Sequence, residues 1–149
     1  MEQKPVYILG ISCFYHDAAA CLLKDGVLVY AAQEERFTRK KHDPSFPLHA
    51  LRACLSHEHI TTSDLAAVGF YEKPFLKFER ILETIISSWP MSYPLFLKTM
   101  PSWLREKLWI KDRIRKMLKY SGEIYFSEHH LSHAASSFLV SPFQEAAIL

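Results

Sequence analysis

The first third of the chain alternates between short apolar runs and turn-forming residues, a pattern typical of β-strands. Residues 6–11 are a continuous apolar run with β-branched content, which predicts a strand buried on both faces. Two further runs, residues 18–23 and 27–32, flank Asp25-Gly26, a pair that fits a two-residue hairpin turn because glycine accepts a positive φ. We therefore expect a three-stranded meander with a polar loop, residues 12–17, between its first two strands.

Helical spacing of apolar residues begins after Pro44, with Leu48, Leu51 and Leu55 on one face. Other patterns predict strands at residues 66–70, 124–126 and 146–149, and helices at 75–87, 103–118 (with a stop at Gly122) and 129–138. Strands interleaved with helices indicate an α/β fold with a mixed sheet and flanking helices.

Composition narrows the class of protein. A chain of 149 residues that is 49% hydrophobic is long enough for one domain with a core. The net charge of +2 argues against disorder and against a nucleic-acid-binding protein recognised by bulk charge. The basic excess lies between Lys98 and Lys119, which suggests a distinct helical insert at about residues 73–120.

No export or membrane signal is evident in the sequence. The uncharged stretch at residues 5–15 is shorter than the roughly 18 residues that a membrane span needs, and it lacks a basic flank and a cleavage site. The three cysteines show no CxxC spacing, which favours buried thiols in a reducing compartment. We expect a cytoplasmic protein without a membrane partner.

The histidine-rich segment 128–136 is the strongest candidate for chemistry. His129 and His133 are four residues apart, so on a helix their side chains lie on one face about 5–6 Å apart at Cβ. Two neutral imidazoles at this spacing could ligate one metal ion, although one or two carboxylates would be needed besides. The alternative is an ordinary helix with one surface and one core histidine.

The loop between the first two strands is the second candidate. His16 titrates near neutral pH and Asp17 could orient it, so His16 could act as a general base for a hydroxyl group. The alternative is that Asp17 caps a turn and that His16 is merely exposed.

A basic segment follows the third strand. Arg36, Arg39, Lys40 and Lys41 could bind a phosphate or a carbamoyl oxygen, or could form a solvated face with internal ion pairs. The chain has four glycines and no GxGxxG or GxxxxGK[ST] motif, so it holds no glycine-rich phosphate loop. The aromatic and basic helix at 103–116 could contact nucleic acid or an anionic membrane, but its apolar spacing favours packing with a wet basic face.

Two long motifs resemble one protein family. Residues 10–12 and 15–20, the Asp-Gly hairpin and residues 33–43 (QEERFTRKKHD) resemble the amino-terminal region of the NodU/CmcH carbamoyltransferase family. The chain departs from the family at Cys13 and Phe14, where some relatives have an acidic residue. Residues 129–136 (HHLSHAAS), with Ser-Pro-Phe at 141–143, resemble its second motif.

The resemblance implies a fold and an activity. The fold is the amino-terminal part of a domain similar to actin, the heat-shock ATPases and the sugar kinases, ribonuclease H-like, and similar to the tRNA threonylcarbamoyl transferases. In such proteins a carboxy-terminal domain forms a carbamoyl adenylate from carbamoyl phosphate and ATP. The amino-terminal domain then transfers the carbamoyl group to the hydroxyl of a small-molecule acceptor in biosynthesis.

The resemblance also implies roles for particular residues. By residue match, His129 and His133 would be ligands of a divalent metal ion, of the iron type. His16 would be the acid/base at the transfer site, and Lys41 would contact the substrate or the carbamoyl group. Asp17, Arg39 and Lys40 would be supporting residues that bind substrate.

In the family, the strand that matches residues 146–149 leads to an Asp-Gly loop with another metal ligand and phosphate contacts. We therefore expect an amino-terminal fragment that lacks the carboxy-terminal part of the domain and the adenylate-forming domain, and that does not turn over alone. The acceptor and the oligomeric state are left open by the sequence.

Two other functions compete with this one. The first is a threonylcarbamoyl transferase acting on transfer RNA, which shares the HxxxH pair, although the EERFTRKK stretch argues against it. The second is a non-catalytic domain that binds a partner through the basic helix at 103–119.

Overall fold

The structure is a computed structural model that describes residues 4–105 and 107–147. Two compact units divide the chain, one built from residues before 73 and after 120, the other from residues 73–120. The first unit contains strands β1 (Tyr7–Ser12), β2 (Ala19–Lys24), β3 (Val27–Gln33), β4 (Leu65–Phe70) and β5 (Glu123–Phe126), and helices α1 (Glu35–Thr38), α2 (Leu48–His57) and α6 (His129–Phe138). The second contains α3 (Pro74–Ser87), α4 (Tyr93–Arg105) and α5 (Ile110–Leu118).

The five strands form one mixed sheet in the order β3-β2-β1-β4-β5. The meander β1–β3 is antiparallel, whereas β4 lies parallel to β1 and β5 lies parallel to β4. The hairpin between β2 and β3 turns at Asp25 and Gly26, whose φ angles are 51° and 83°. The meander, its turn and the mixed α/β sheet are confirmed.

The two faces of the sheet differ in burial. Leu9, Leu22 and Val68 point to one face and are fully buried. Helix α2 packs on β2 and β3 and contributes the buried Ala50 and Cys54. The other face carries a concavity of about 1140 Å³ over small residues of β1, β2 and β4. Burial therefore alternates along β1, and the expectation that this strand is buried on both faces is wrong.

A buried carboxylate begins helix α2. Glu34, only 2% exposed, accepts hydrogen bonds from the backbone N–H groups of His49 (3.1 Å) and Ala50 (2.8 Å). It also pairs with Nδ1 of His49. The helix N-cap is Pro47, which has no side-chain hydrogen-bonding group, so Glu34 satisfies N–H groups that would otherwise be unpaired.

The helical unit corrects two expectations. The helix predicted at residues 103–118 is divided between α4, a 3₁₀ turn (Lys107–Trp109) and α5. The indole N–H of Trp109 donates to the carbonyl oxygen of Leu104 (2.8 Å), an acceptor that a continuous helix would use for its own backbone. Gly122 is not the helix stop, because Lys119 takes the left-handed conformation (φ 52°) and ends α5.

The predicted strand at residues 146–149 is not found. Residues 146 and 147 belong to no strand, and residues 148 and 149 lie outside the described residues. Among the helices that the structure describes, none combines the length and the apolar character needed to cross a membrane.

Replacing Glu34 with alanine should lower the free energy of unfolding by about 2–4 kcal/mol, because two backbone N–H groups and His49 lose a buried acceptor. Glu34→Gln should cost less, since one acceptor oxygen remains. Urea unfolding followed by circular dichroism measures the difference. Glu123→Ala, an exposed position on β5, should change stability by no more than about 0.5 kcal/mol; equal losses at both positions would contradict the capping role.

Candidate functional site

The candidate residues follow strands that end at one edge of the sheet. Because β1, β4 and β5 are parallel, their carboxyl ends lie at the same edge. The loop 13–18 follows β1, Tyr71 follows β4, and α6 follows β5 after Ser127 and Glu128. Residues far apart in the sequence are thus brought to one edge of the fold.

Helix α6 brings the two predicted metal ligands together. The Nε2 atoms of His129 and His133 are 3.2 Å apart, and the two rings lie 4.6 Å apart between centroids. This separation suits either a hydrogen bond between the rings or two nitrogen donors to one metal ion, since imidazole ligands bind such ions at about 2.0–2.1 Å. The ring of the intervening histidine, His130, lies edge-on to that of His129, with 5.7 Å between centroids.

The sheet anchors the first turn of α6. The backbone N–H of Ser127 donates to the carbonyl oxygen of Phe70 (2.9 Å), and the hydroxyl of Ser132 donates to the carbonyl oxygen of Tyr71 (2.8 Å). The ring of Tyr71 packs edge-on against His129, with 5.8 Å between centroids. Both histidines are therefore fixed relative to the end of β4.

Tyr71 also connects α6 with the loop after β1. Burial raises the pKa of the Tyr71 phenol, and its electrostatic interactions with Glu72, Cys13 and Tyr15 act in the same direction. Tyr71 therefore contacts His129 and interacts electrostatically with the loop. Nothing in the sequence marks Tyr71 for this role except its position directly after a strand.

The donor set tests whether the site suits a metal ion. Two imidazole nitrogens converge at α6, but within residues 4–105 and 107–147 no group of three or more His, Cys, Asp or Glu side chains is arranged to hold a metal. The pair thus supplies two of the ligands that an iron or zinc site needs, and the remaining ligands would have to come from outside the described residues.

The loop after β1 carries a carboxylate that contacts two histidines. Asp17 Oδ2 lies 2.8 Å from Nδ1 of His16, and Asp17 Oδ1 lies 2.8 Å from Nδ1 of His42. Hydrogen bonds from His42, and then from His16, hold the pKa of Asp17 below its ordinary value, so the carboxylate stays ionised. The expected pairing of His16 with Asp17 is present, whereas the contact with His42 was not anticipated.

His42 reaches Asp17 because its neighbours are tied to the loop. Asp43, only 4% exposed, accepts hydrogen bonds from Thr38 Oγ1 (2.9 Å) and the backbone of Ser45 (3.0 Å). Two backbone hydrogen bonds, Ala18 N–H to Asp43 and Phe14 N–H to Pro44, join the segments. A sequence separation of 25 residues between Asp17 and His42 gives no clue to this contact.

Strained backbone is concentrated in the same two segments. Among the described residues, seven that are not glycine have a positive φ, and four of them are Phe14, Asp17, Arg39 and His42. A positive φ is disfavoured for side chains with a Cβ, most of all for a bulky one such as phenylalanine. Such strain persists where the surroundings enforce it, and it is frequent at functional sites.

The basic residues of this segment are exposed and do not converge on His16. The side chains of Arg39, Lys40 and Lys41 point to solvent, and Arg39 ends α1 in the left-handed conformation. Arg36 and Phe37 instead line the concavity over the open sheet face. In the second unit, α5 buries Ile110, Ile114 and Leu118. It exposes Lys111, Arg113 and Lys116, as expected for amphipathic packing, whereas Arg115 is half-buried.

Comparison with known proteins identifies the family. Residues 7–149 match the family described as carbamoyltransferase N-terminus. The chain is 49% identical over 151 aligned residues to the uncharacterized protein sll1178 of Synechocystis sp., covering 96% of this chain and 25% of that protein. It is 31% identical over 143 residues to the nodulation protein NolNO of Sinorhizobium fredii, covering 91% of this chain and 19% of that protein.

The chain therefore spans about a quarter or less of the length of these relatives. The family match extends over both units of the structure and includes both motifs that carry the candidate residues. The chain belongs to the carbamoyltransferase family, and its residues 7–149 match the amino terminus of that family.

Proposed function

We propose that this chain supplies the transfer site of an O-carbamoyltransferase, in which a carbamoyl group passes from a carbamoyl adenylate to the hydroxyl of a small-molecule acceptor. The adenylate would arise from carbamoyl phosphate and ATP at a separate domain. The domain described here would have a ribonuclease H-like fold, for which the antiparallel meander joined to two parallel strands is a suitable arrangement. The central support is the 3.2 Å separation of the His129 and His133 Nε2 atoms at the sheet edge that also carries His16 and Asp17.

His129 and His133 would hold a divalent metal ion, most suitably iron, through their Nε2 atoms. Bound there, the ion would supply positive charge beside the phosphate of the adenylate, which becomes the leaving group. The contacts of Ser132 and Tyr71 would keep both imidazoles oriented.

His16 would act as the base of the transfer step. Asp17 accepts from Nδ1–H of His16, which leaves Nε2 of that ring able to take a proton. The acceptor oxygen would bond to the carbamoyl carbon as its proton moves to Nε2, while the bond from that carbon to the phosphate oxygen breaks and AMP leaves. Lys41 would contact the carbamoyl group or substrate, with Arg39 and Lys40 supplying positive charge nearby.

The histidine pair predicts metal binding by the chain. Because the remaining ligands must come from outside the described residues, the metal is titrated into this chain fused to the part of the Synechocystis protein beyond the matched region. Titration with Co²⁺ as a spectroscopic probe, and with Fe²⁺ under anaerobic conditions, should yield about one bound ion per chain. His129→Ala and His133→Ala should each weaken binding by about tenfold or more, because each removes one of two converging donors.

His130→Ala is the matched control for these two variants. It removes a histidine from the same helix turn, yet His130 is not part of the converging pair, so metal binding should be unchanged. An equal loss of metal affinity in all three single variants would rule out the proposed ligand pair. So would an equal affinity in the wild type and in the double variant that combines His129→Ala with His133→Ala.

Formation of the carbamoyl adenylate, the donor of the proposed transfer, can be tested in a fusion of this chain to the part of the Synechocystis protein beyond the matched region. With carbamoyl phosphate, ATP and hydroxylamine as the probe nucleophile, the fusion should form AMP at a rate that depends on carbamoyl phosphate. Hydroxylamine intercepts an acyl adenylate and releases AMP, so the assay needs no knowledge of the natural acceptor. The unfused chain is the control and should form no AMP.

The same assay separates the alternative functions. A threonylcarbamoyl transferase would use threonine and bicarbonate in place of carbamoyl phosphate and would retain transfer RNA in a filter-binding assay. Absence of carbamoyl phosphate-dependent AMP from a folded fusion would overturn the proposal.

A further inference from the structure

The proposed transfer base is not the only histidine held by Asp17. Both carboxylate oxygens are occupied, Oδ2 by His16 and Oδ1 by His42, each at 2.8 Å. An ionised carboxylate can only accept hydrogen bonds, so each imidazole must donate from Nδ1. Both rings are therefore in the Nδ1–H tautomer when neutral, and both leave Nε2 unprotonated.

We propose that His42 is a positioning residue of the transfer site, which by donating Nδ1–H to Asp17 fixes the carboxylate that orients His16. A carboxylate with one donor can rotate about its side-chain torsions, whereas donors on both oxygens define its plane. Asp17 also has a strained backbone (φ 47°), which the two contacts help to maintain. Its low pKa, for which His42 is the largest cause, agrees with this arrangement.

His42 is itself held from several directions. Its backbone N–H donates to Glu35 Oε2 (3.3 Å), and the neighbouring Asp43 is buried and hydrogen-bonded. Other titratable groups near the cluster include Tyr15, whose ring lies 4.6 Å from that of His16, and Lys40, which interacts with Asp43. Because these contacts hold His42, its side chain can in turn fix the position of Asp17.

The role in catalysis rests on the function proposed above, but the positioning itself is testable in the chain alone. In the transfer step, His42 would touch neither substrate nor leaving group. It would act through Asp17 by keeping Nε2 of His16 unprotonated and in place. Losing it would place the proton of His16 on either nitrogen and reduce the fraction of rings able to act as base.

The experiment is long-range ¹H–¹⁵N correlation spectroscopy of the labelled 149-residue chain at about pH 8, where an unperturbed imidazole is neutral. His16 and His42 should both show the Nδ1–H tautomer in the wild type. In His42→Ala, the Nδ1–H fraction of His16 should fall about twofold or more, because Asp17 loses its second donor. His42→Asn should restore it, since the asparagine amide can donate in place of Nδ1–H and tolerates positive φ.

His59→Ala is the matched control. His59 is exposed and has the same φ as His42, 53°, so an alanine there carries the same backbone strain without touching Asp17. An unchanged His16 tautomer in His42→Ala, or an equal change in His59→Ala, would overturn the inference.

Asp17→Ala keeps the test decisive if His42→Ala does not fold. It removes both acceptor oxygens and should release both histidines from the Nδ1–H tautomer, and retention of that tautomer by His42 would contradict the contact on which the inference rests. The spectra require no metal, ATP or carbamoyl phosphate. A failed AMP assay with an intact tautomer pattern would therefore reject the proposed function alone.

Discussion

The chain between β3 and α2 is organised by two acidic side chains that are withdrawn from water. Glu34 is 2% exposed and Asp43 is 4% exposed, and a buried carboxylate is tolerated only when hydrogen bonds replace its hydration. The N–H groups that begin α2 satisfy Glu34, and Thr38 and Ser45 satisfy Asp43. The basic residues between these two points extend into solvent, while His42 is held against Asp17. The arrangement of residues 34–47 thus follows from the need to satisfy two buried carboxyl groups.

The parallel arrangement of β1, β4 and β5 imposes the second constraint. It brings the ends of three strands to one edge, so residues from the first eighth of the sequence and from its last fifth share a region. The hydrogen bonds of Ser127 and Ser132 to the backbone after β4 fix where α6 begins. The two histidines of α6 then converge because a helical turn brings residues four apart onto one face. Tyr71 contacts His129 and interacts electrostatically with Cys13 and Tyr15 of the loop after β1.

Elements that are set by local interactions could be predicted from local sequence patterns. The hairpin at Asp25-Gly26 and the helix that carries His129 and His133 follow from turn chemistry and periodicity, and both are present. The pairing of His16 with Asp17 could also be anticipated, because the two residues are adjacent. The division of the helix at 103–118 could not, since it depends on where the indole of Trp109 donates. The role of Glu34 could not be predicted either, because the charged segment around it is typical of a solvent-exposed surface.

His42 shows why a site of this kind cannot be predicted from the sequence alone. Its contact with Asp17 is made by backbone hydrogen bonds of neighbouring residues, Ala18 to Asp43 and Phe14 to Pro44, which have no side-chain signature. Four residues in these two segments have a positive φ although none of them is glycine, and each such residue destabilises the folded chain. Glycine would form the same turns without this cost. Retaining a charged, aromatic or imidazole side chain at such positions makes sense only if the side chain is needed. The strain therefore favours the interpretation of this cluster as a site of chemistry and makes Asp17, rather than either histidine, its centre.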